Sequence, residues 1–254
     1  VVEASDGGLV VTGGTSSFGN GYQVYLLKTN SGGNLLWEKS FGGSIEDFGQ
    51  RYDSGNSVIE TADGGLVVTG NSEFIDNNDP DNDHMELYLL KTDSIGNLLW
   101  EKNFVGTGST YTYGHSAIET TDGGLVVAGA THSFGDDERV YLLKTDSNGN
   151  LLWEKGHGSS SGNSGKSVIE TTDGGLVVTG ITTLGNYYQV YLLKTDSNGN
   201  LLWENNFGGS SYDIGYSVVE TNNDYLVVVG YTTSFGNGSQ VYMVWTDSEG
   251  HGVR

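Results

Sequence analysis

The amino-acid sequence predicts an all-β fold, a five-bladed β-propeller built from four-stranded antiparallel blades. Three observations predict it. A repeat of about fifty residues runs through the chain, each copy consists of short β-branched and aromatic runs broken by turn residues, and no apolar period of helix length occurs. Glycine supplies 41 of the 254 residues and proline only one, which is typical of strands joined by tight turns.

One glutamate recurs in every copy and aligns the repeat. The five are Glu3, Glu60, Glu119, Glu170 and Glu220, at spacings of 57, 59, 51 and 50 residues. Five copies leave no linker, so we expect one propeller domain over residues 1–254. The predicted blades span approximately 1–43, 44–106, 107–158, 159–209 and 210–254.

Each copy contains four predicted strands, named A to D from the propeller axis outward. In the fourth copy they are residues 167–170, 176–180, 190–195 and 201–204, separated by turns with Asp-Gly and Asn-Gly signals. The fifth copy ends at Arg254, where its strand D belongs. The last blade is therefore predicted to lack its outer strand.

Residues that recur in the copies are predicted to build the blades. The indoles of Trp37, Trp100, Trp153 and Trp203 can fill the wedge between neighbouring blades. The aspartates of the Asp-Gly-Gly turns, Asp6, Asp63, Asp122 and Asp173, can accept hydrogen bonds from their own turns. We expect the recurring Lys28, Lys91, Lys144 and Lys194 to pair with the recurring glutamates. The fifth turn, Asn223-Asp224-Tyr225, is expected to be built differently.

Function is expected where the copies differ. The B–C and D–A loops open on one face and vary strongly from blade to blade. Aromatic side chains beside Asp, Asn and Gln favour sugar recognition, although turn-rich β proteins also carry such residues without binding a ligand. The candidate ligand-binding residues are Tyr22, Phe48, Tyr52, Tyr111, Tyr113, His115, Tyr188, Tyr212 and Tyr216.

An acidic insertion is found only in the second copy. Asp79, Asp81 and Asp83 alternate as the first ligands of a calcium loop do, but the glycine and closing glutamate of an EF-hand are missing at their usual places. The segment is either a calcium site, with calcium as the cofactor, or a solvated acidic loop.

The composition excludes several classes of partner. The net charge of −21 opposes binding to nucleic acid and to anionic lipid headgroups. No run approaches the roughly 20 apolar residues of a membrane span, so membrane insertion is not expected.

Enzyme chemistry has little support in the sequence. The histidines lack metal-binding spacing, and no nucleophile elbow or phosphate loop is present, so no catalytic residue is predicted. A glycan-active enzyme using two of Asp47, Asp53, Asp136 and Asp213 is the alternative from the enzyme class.

The Asp-Gly-Gly turn, the YLLKTD strand and the GNLLW segment resemble the Gly- and Asp-rich propeller repeats of secreted and surface proteins of bacteria and archaea. The resemblance covers essentially the whole chain and implies an extracellular or cell-surface location. Residues 146–153 are also similar to the tryptophan-docking motif of quinoprotein-type propellers, which has one more residue between Asp and Gly. This second similarity concerns blade construction and implies no quinone site.

Two functions are compatible with this pattern. The first is a non-catalytic binding or structural module that contacts a glycan or a surface protein through the variable loop face. The second is a self-assembling surface or filament protein that forms a homo-oligomer through the incomplete last blade, because an uncovered strand edge is a template for pairing.

The incomplete blade gives a testable expectation. Propellers often complete one blade with strands from both termini, so we expect residues that precede Val1 in the native precursor to supply the missing strand D. Sequencing the precursor tests this, and a precursor without an LLWEK-like segment before Val1 would contradict it.

Overall fold

The computed structural model describes residues 1–18, 21–43, 45–46, 49–79, 81, 83–106, 111–134, 137–158 and 162–252. These residues form twenty β-strands in five antiparallel sheets, one for each copy of the repeat, and they contain no α-helix. The prediction of a five-bladed propeller whose last blade lacks its outer strand is confirmed.

The strands follow one another in space as they do in sequence. Blade 1 contains β1 (Val2–Glu3), β2 (Leu9–Thr15), β3 (Gln23–Thr29) and β4 (Leu35–Phe41). Blade 2 contains β5 (Ile45–Glu46), β6 (Gly49–Glu60), β7 (Leu66–Asp76), β8 (His84–Thr92) and β9 (Leu98–Phe104). Blade 3 contains β10 (Thr112–Glu119), β11 (Leu125–Thr131), β12 (Arg139–Thr145) and β13 (Leu151–His157). Blade 4 contains β14 (Asn163–Glu170), β15 (Leu176–Leu184), β16 (Tyr187–Thr195) and β17 (Leu201–Phe207). Blade 5 contains β18 (Asp213–Glu220), β19 (Leu226–Thr232) and β20 (Gln240–Thr246).

In blades 2 to 5 the first long strand lies nearest the axis. Strands β6, β10, β14 and β18 contact one another in succession, which places the predicted A strands innermost. The two-residue β5 pairs with β6 as an extra inner strand of blade 2. In blade 5 a single bridge from Thr246 to Gly252 marks where strand D would begin.

The hydrophobic core is divided into four layers, each between two consecutive blades. Every blade has a leading face turned toward the preceding blade and a trailing face turned toward the next. Between blades 3 and 4, for example, Val140 and Leu142 on the trailing face pack against Leu176, Val178 and Leu193 on the leading face. Successive side chains of a strand point to opposite faces of the blade, so one strand contributes to two core layers.

The recurring tryptophans lie between the blades, as predicted. The indole of Trp153 covers Gly199 in the C–D turn of the next blade, and that of Trp203 covers Gly250. A Cβ atom at either glycine would lie 2.7 Å from the indole, a distance that no side chain tolerates. Trp37 and Trp100 cover Gly96 and Gly149 in the same way.

The expected pairing of the recurring lysines with the glutamates is wrong. Lys91 Nζ lies 2.6 Å from Asp63 Oδ2, in the Asp-Gly-Gly turn of its own blade, and the other three lysines bind their turn aspartates likewise. The physical reason is that strand B separates strands A and C, whereas the A–B turn folds over the end of strand C. The glutamates instead reach the preceding blade, where Glu170 accepts a hydrogen bond from the amide of Thr121 at 2.8 Å.

The fifth A–B turn keeps the backbone of the other four, so the expectation of a different construction is also wrong. Asp224 takes the left-handed conformation at φ 61°, where Gly64 in blade 2 has φ 79°. Asp224 N donates to Thr221 O at 3.0 Å, and Gly64 N donates to Thr61 O at 2.8 Å. Aspartate is one of the few residues that tolerate this conformation.

The turn aspartates predict a loss of stability in acid. Hydrogen bonding to Lys91 and Lys144 holds the pKa of Asp63 and Asp122 at about 2, below the ordinary 3.8. Because the folded pKa is depressed, this stabilisation is present above the ordinary value and is lost as the pH falls from about 4 to about 2. The free energy of unfolding, measured by chemical denaturation, should depend less on pH in that window after Asp63→Asn and Asp122→Asn together. The control is Asp79→Asn in an exposed loop. The effect should be small, since both carboxylates are more than half exposed. An unchanged pH profile in the double variant would refute the assignment.

Candidate functional site

Seven of the eight described candidate residues lie in three groups on the face of the B–C and D–A loops. Tyr22 and Tyr52 lie where blades 1 and 2 meet, Tyr111, Tyr113 and His115 belong to blade 3, and Tyr188 and Tyr212 lie where blades 4 and 5 meet. Tyr216 follows in blade 5. Phe48 lies outside the described residues. The sequence alone could not divide the candidates among these groups, because it does not specify how neighbouring blades are oriented.

Tyr22 and Tyr52 join the D–A and B–C loops of their blades. The two residues form a parallel bridge, and Asp53 N donates to Tyr22 O at 2.9 Å. The Tyr52 hydroxyl bonds to Gln50, and the Tyr22 ring is exposed without an aromatic neighbour in the described part of the chain. These two tyrosines therefore present one exposed ring.

A β-bulge on each of the four long inner strands inserts one variable residue. The register shifts after Gly55, Gly114, Gly165 and Gly215, and the extra residue is Asn56, His115, Lys166 or Tyr216. Asn56 Nδ2 donates to Gly114 O of the next blade at 2.8 Å. The sequence signal for this position is a recurring glycine followed by a residue that differs in every copy.

The bulges of blades 3 and 4 bring together a small ionisable cluster. Lys166 Nζ donates to His115 Nε2 at 3.1 Å, and the His115 ring stacks on Tyr113 with centroids 6.2 Å apart. Burial and the charge of Lys166 lower the pKa of His115 to about 4, so the imidazole is neutral at neutral pH and can accept this bond. Burial also lowers the pKa of Lys166, against the opposing charge of Glu138.

The largest described group of contacting exposed aromatics is a tyrosine platform, made of Tyr187, Tyr188 and Tyr212. The Tyr212 ring lies 5.2 Å from that of Tyr187 and 5.6 Å from that of Tyr188, both in edge-to-face geometry. Each of the three residues is about 40% exposed. Tyr187 was not among the candidates, although a Tyr-Tyr pair in a variable loop was a usable signal.

The platform stands above blade 4 because its B–C hairpin is extended. β15 and β16 each contain nine residues, two more than β11 and β12 in blade 3, and a two-residue turn joins them. The added pairs, Thr183 with Tyr188 and Leu184 with Tyr187, continue the antiparallel ladder. The two tyrosines are consequently part of a regular hairpin.

A buried network fixes Tyr212 against that hairpin. Gln189 Nε2 donates to the carbonyl oxygens of Gly209 and Ser211, at 3.2 and 3.0 Å, and to Asp213 Oδ2 at 3.3 Å. Asp213, fully buried, also accepts bonds from Gly209 N at 2.8 Å and from Ser234 Oγ at 2.6 Å. The D–A loop that carries Tyr212 is thus tied to both neighbouring blades.

Of the four aspartates in the enzyme alternative, the two that the structure describes, Asp53 and Asp213, hold loops. Asp53 occupies in blade 2 the position of Asp213 in blade 5; both are buried, and each accepts a hydrogen bond from a glycine amide of the preceding D–A loop. Burial raises the pKa of Asp53. Both carboxyl groups are buried in hydrogen bonds to loop backbone, whereas a pair that acts on a glycosidic bond has to face the substrate. Asp47 and Asp136 lie outside the described residues.

A cleft of about 470 Å³ adjoins Asp53 between blades 1 and 2. Arg51 Nη1 donates to Glu86 Oε2 and to Ser72 Oγ, both at 3.0 Å, and Asn103 Nδ2 donates to Glu86 at 2.6 Å. The Tyr88 hydroxyl bonds to Glu101 at the same cleft, but the corresponding Tyr–Glu bond also occurs in blades 1, 3 and 4. That bond is part of blade construction.

Two of the three candidate calcium ligands, Asp79 and Asp83, bind the backbone of their own loop through their carboxylates. Asp83 Oδ1 accepts from Asp76 N at 2.7 Å, and Asp79 Oδ1 accepts from Asp81 N at 3.2 Å. Over the described residues, no three acidic, histidine or cysteine side chains converge as metal ligands. Calcium binding stays a prediction.

Solved structures of low sequence identity share the fold. A Hadza microbial sialidase matches 97% of this chain with a TM-score of 0.63 at 13% identity, and a GH43 β-1,3-galactosidase matches 94% with a TM-score of 0.51 at 14% identity. The matches cover 55% and 53% of those two chains, so this chain spans about half their length. No protein-family model matches the sequence, and no curated protein does. Nor does any helix of the described part have the length and apolar character to span a membrane.

The buried network around Asp213 makes a testable prediction. Asp213→Ala leaves several donors of the network without an acceptor, so the free energy of unfolding should fall by about 2–4 kcal/mol. Near-ultraviolet circular dichroism should also change, because Tyr212 loses its fixed place against Tyr187 and Tyr188. Asp53→Ala is the matched control, since it removes the equivalent carboxylate from blade 2 and should destabilise the protein without disturbing these rings. Equal spectra for the wild type and Asp213→Ala would show that the network does not position the platform.

Proposed function

We propose that this chain is a non-catalytic glycan-binding module of an extracellular or cell-surface protein and that the tyrosine platform is its contact site. The observation that carries the proposal is the exposed contact of Tyr187, Tyr188 and Tyr212 above a buried network that fixes their geometry. A platform fixed before binding loses little conformational freedom when a ligand arrives.

The chemistry of the platform suits a sugar. Aromatic faces pack against the C–H groups of a pyranose ring, and tyrosine hydroxyls can donate to and accept from sugar hydroxyls. Edge-to-face packing leaves part of each ring open, and the three side chains retain about 40% of their exposure. An uncharged or cationic glycan fits best, because the net charge of −21 disfavours polyanions.

One further observation supports binding rather than catalysis, and a second supports a glycan as the ligand. The two carboxylates of the enzyme alternative that the structure describes, Asp53 and Asp213, are buried and hold loops, whereas glycoside hydrolysis usually requires two carboxyl groups facing one bond. The structurally similar sialidase and galactosidase are named as glycan-acting enzymes, which agrees with a glycan ligand for a propeller of this kind.

A glycan array followed by calorimetry with the best-bound oligosaccharide tests the proposal. Tyr212→Ala should weaken binding about tenfold, since the lost ring contributes up to about 1.5 kcal/mol and its removal also loosens its two neighbours. Tyr212→Phe keeps the ring and should stay within about threefold of the wild type.

Tyr22→Ala is the matched control. Tyr22 is 39% exposed on the same face but has no aromatic neighbour among the described residues, so its removal should leave the affinity unchanged. Absence of saturable binding across the array would overturn the proposed function. Loss of binding in Tyr22→Ala but not in Tyr212→Ala would move the site to blades 1 and 2.

A further inference from the structure

The two ends of the blade series expose surfaces that are buried everywhere else in the chain. Each of the four core layers joins the trailing face of one blade to the leading face of the next. The described residues form no fifth layer between blades 5 and 1. One trailing face and one leading face therefore remain uncovered.

The trailing face of blade 5 is a continuous apolar patch. Val229 pairs with Met243, Val227 pairs with Trp245, and Val219 pairs with Val227, so these side chains are neighbours across three strands. Val241 is 79% exposed and Met243 55%, whereas their counterparts in blade 4, Val190 and Leu192, are at most 1% exposed. Apolar patches of this kind mark interaction surfaces on soluble proteins.

The leading face of blade 1 shows the complementary pattern. It carries Val1, Leu9, Val11, Tyr25 and Leu27. Leu9 is 43% exposed, whereas its counterpart Leu226 in blade 5 is 1% exposed beneath blade 4. Val11 and Leu27 are half-buried, although the equivalent residues of the other blades are almost fully buried.

Polar parts of the same interface are also unmatched at these ends. In each internal interface a glutamate accepts an amide hydrogen from the preceding A–B turn, as Glu220 does from Thr172 at 2.8 Å. The structural equivalents at the ends, Glu3 and the amide of Asn222, make no such bond in the described structure. Gly33 has open space where the four equivalent glycines contact a tryptophan.

Blade 5 extends its apolar surface where the other blades carry a charge. Trp245 replaces the lysine of the Lys–Asp pair, and Tyr225 replaces the second glycine of the turn beneath it. The two rings lie 6.4 Å apart and Trp245 is 45% exposed. Among the described blades, only blade 5 has a trailing face without a neighbour. The apolar replacements at Trp245 and Tyr225 therefore indicate that this face contacts protein.

We propose that the trailing face of blade 5 binds the leading face of blade 1 of a second copy of this chain. The occupant is argued from the chain itself, because these two faces are further copies of an interface that already forms four times. Each copy uses one face for each neighbour, so the association is head to tail and grows into a ring or a filament.

Charge opposes this association. Each copy carries −21, so two copies repel each other over about one Debye length, roughly 8 Å at physiological ionic strength. The contact is apolar, and screening of the repulsion should strengthen it. Sedimentation velocity of the full chain should show concentration-dependent association that increases with sodium chloride.

Single-face variants test the head-to-tail arrangement. Val241→Glu with Met243→Glu blocks the trailing face, and Leu9→Glu with Val11→Glu blocks the leading face. Each variant alone should weaken self-association at least about tenfold. An equal mixture should form a dimer, through the one intact face of each partner, and should not grow further.

The control is Leu152→Glu with Leu202→Glu, at leucines that are 57% and 58% exposed on the outer strands of blades 3 and 4. This variant should associate as the wild type does. If circular dichroism shows that the leading-face variant does not fold, Glu3→Lys at the same exposed face is used instead.

Two results would overturn the proposal. The first is a wild-type chain that remains monomeric at every concentration and salt level. The same result is expected if blade 5 closes on blade 1 of its own chain. Undiminished self-association of both single-face variants is the second. Glycan binding at the tyrosine platform is measured separately and does not depend on either result.

Discussion

The contact between an indole and the glycine of the next blade is the constraint on which the fold depends. Trp153 lies on Gly199 so closely that a single methyl group could not be inserted between them. Because the contact joins consecutive blades, it sets the distance at which their apolar faces meet. The valines and leucines of the core layers then pack at interior density around it. The interblade glutamate bonds add a polar contact to the same interfaces, and the Lys–Asp pairs fix the A–B turn within each of blades 1 to 4.

Periodicity made much of this architecture predictable. A wedge role for Trp203 follows from its recurrence after every Asn-Leu-Leu, and the turn role of Asp63 follows from the glycines beside it. The partner of Lys91 did not follow, because the repeat shows that Lys, Glu and Asp recur together but not which of them share a strand end. The backbone at Asp224 is not predictable for a related reason, since a turn can keep its backbone when its sequence changes.

The candidate site was less predictable, because it depends on departures from the repeat. Tyr188 and Tyr212 stood out as aromatic residues in variable loops, but their contact depends on Gln189 and Asp213. The hydrogen bonds of those two residues run between blades and cannot be deduced from one copy. Tyr187 joins the platform because its hairpin continues for two pairs beyond the length found in blade 3, which the repeat does not indicate. The bulge residues His115 and Lys166 meet for a similar reason, across the junction of two inner strands.

Four core layers for five blades also set the order in which the protein should lose structure. Each blade contacts only its neighbours, so the chain resembles a linear array of repeats with two ends. Blade 3 is supported on both faces by blades that are themselves supported, whereas blades 1 and 5 each have one covered face. Local opening should therefore begin at the outer blades and move inward, and the amide protons of β11 and β12 should be the last to exchange with solvent.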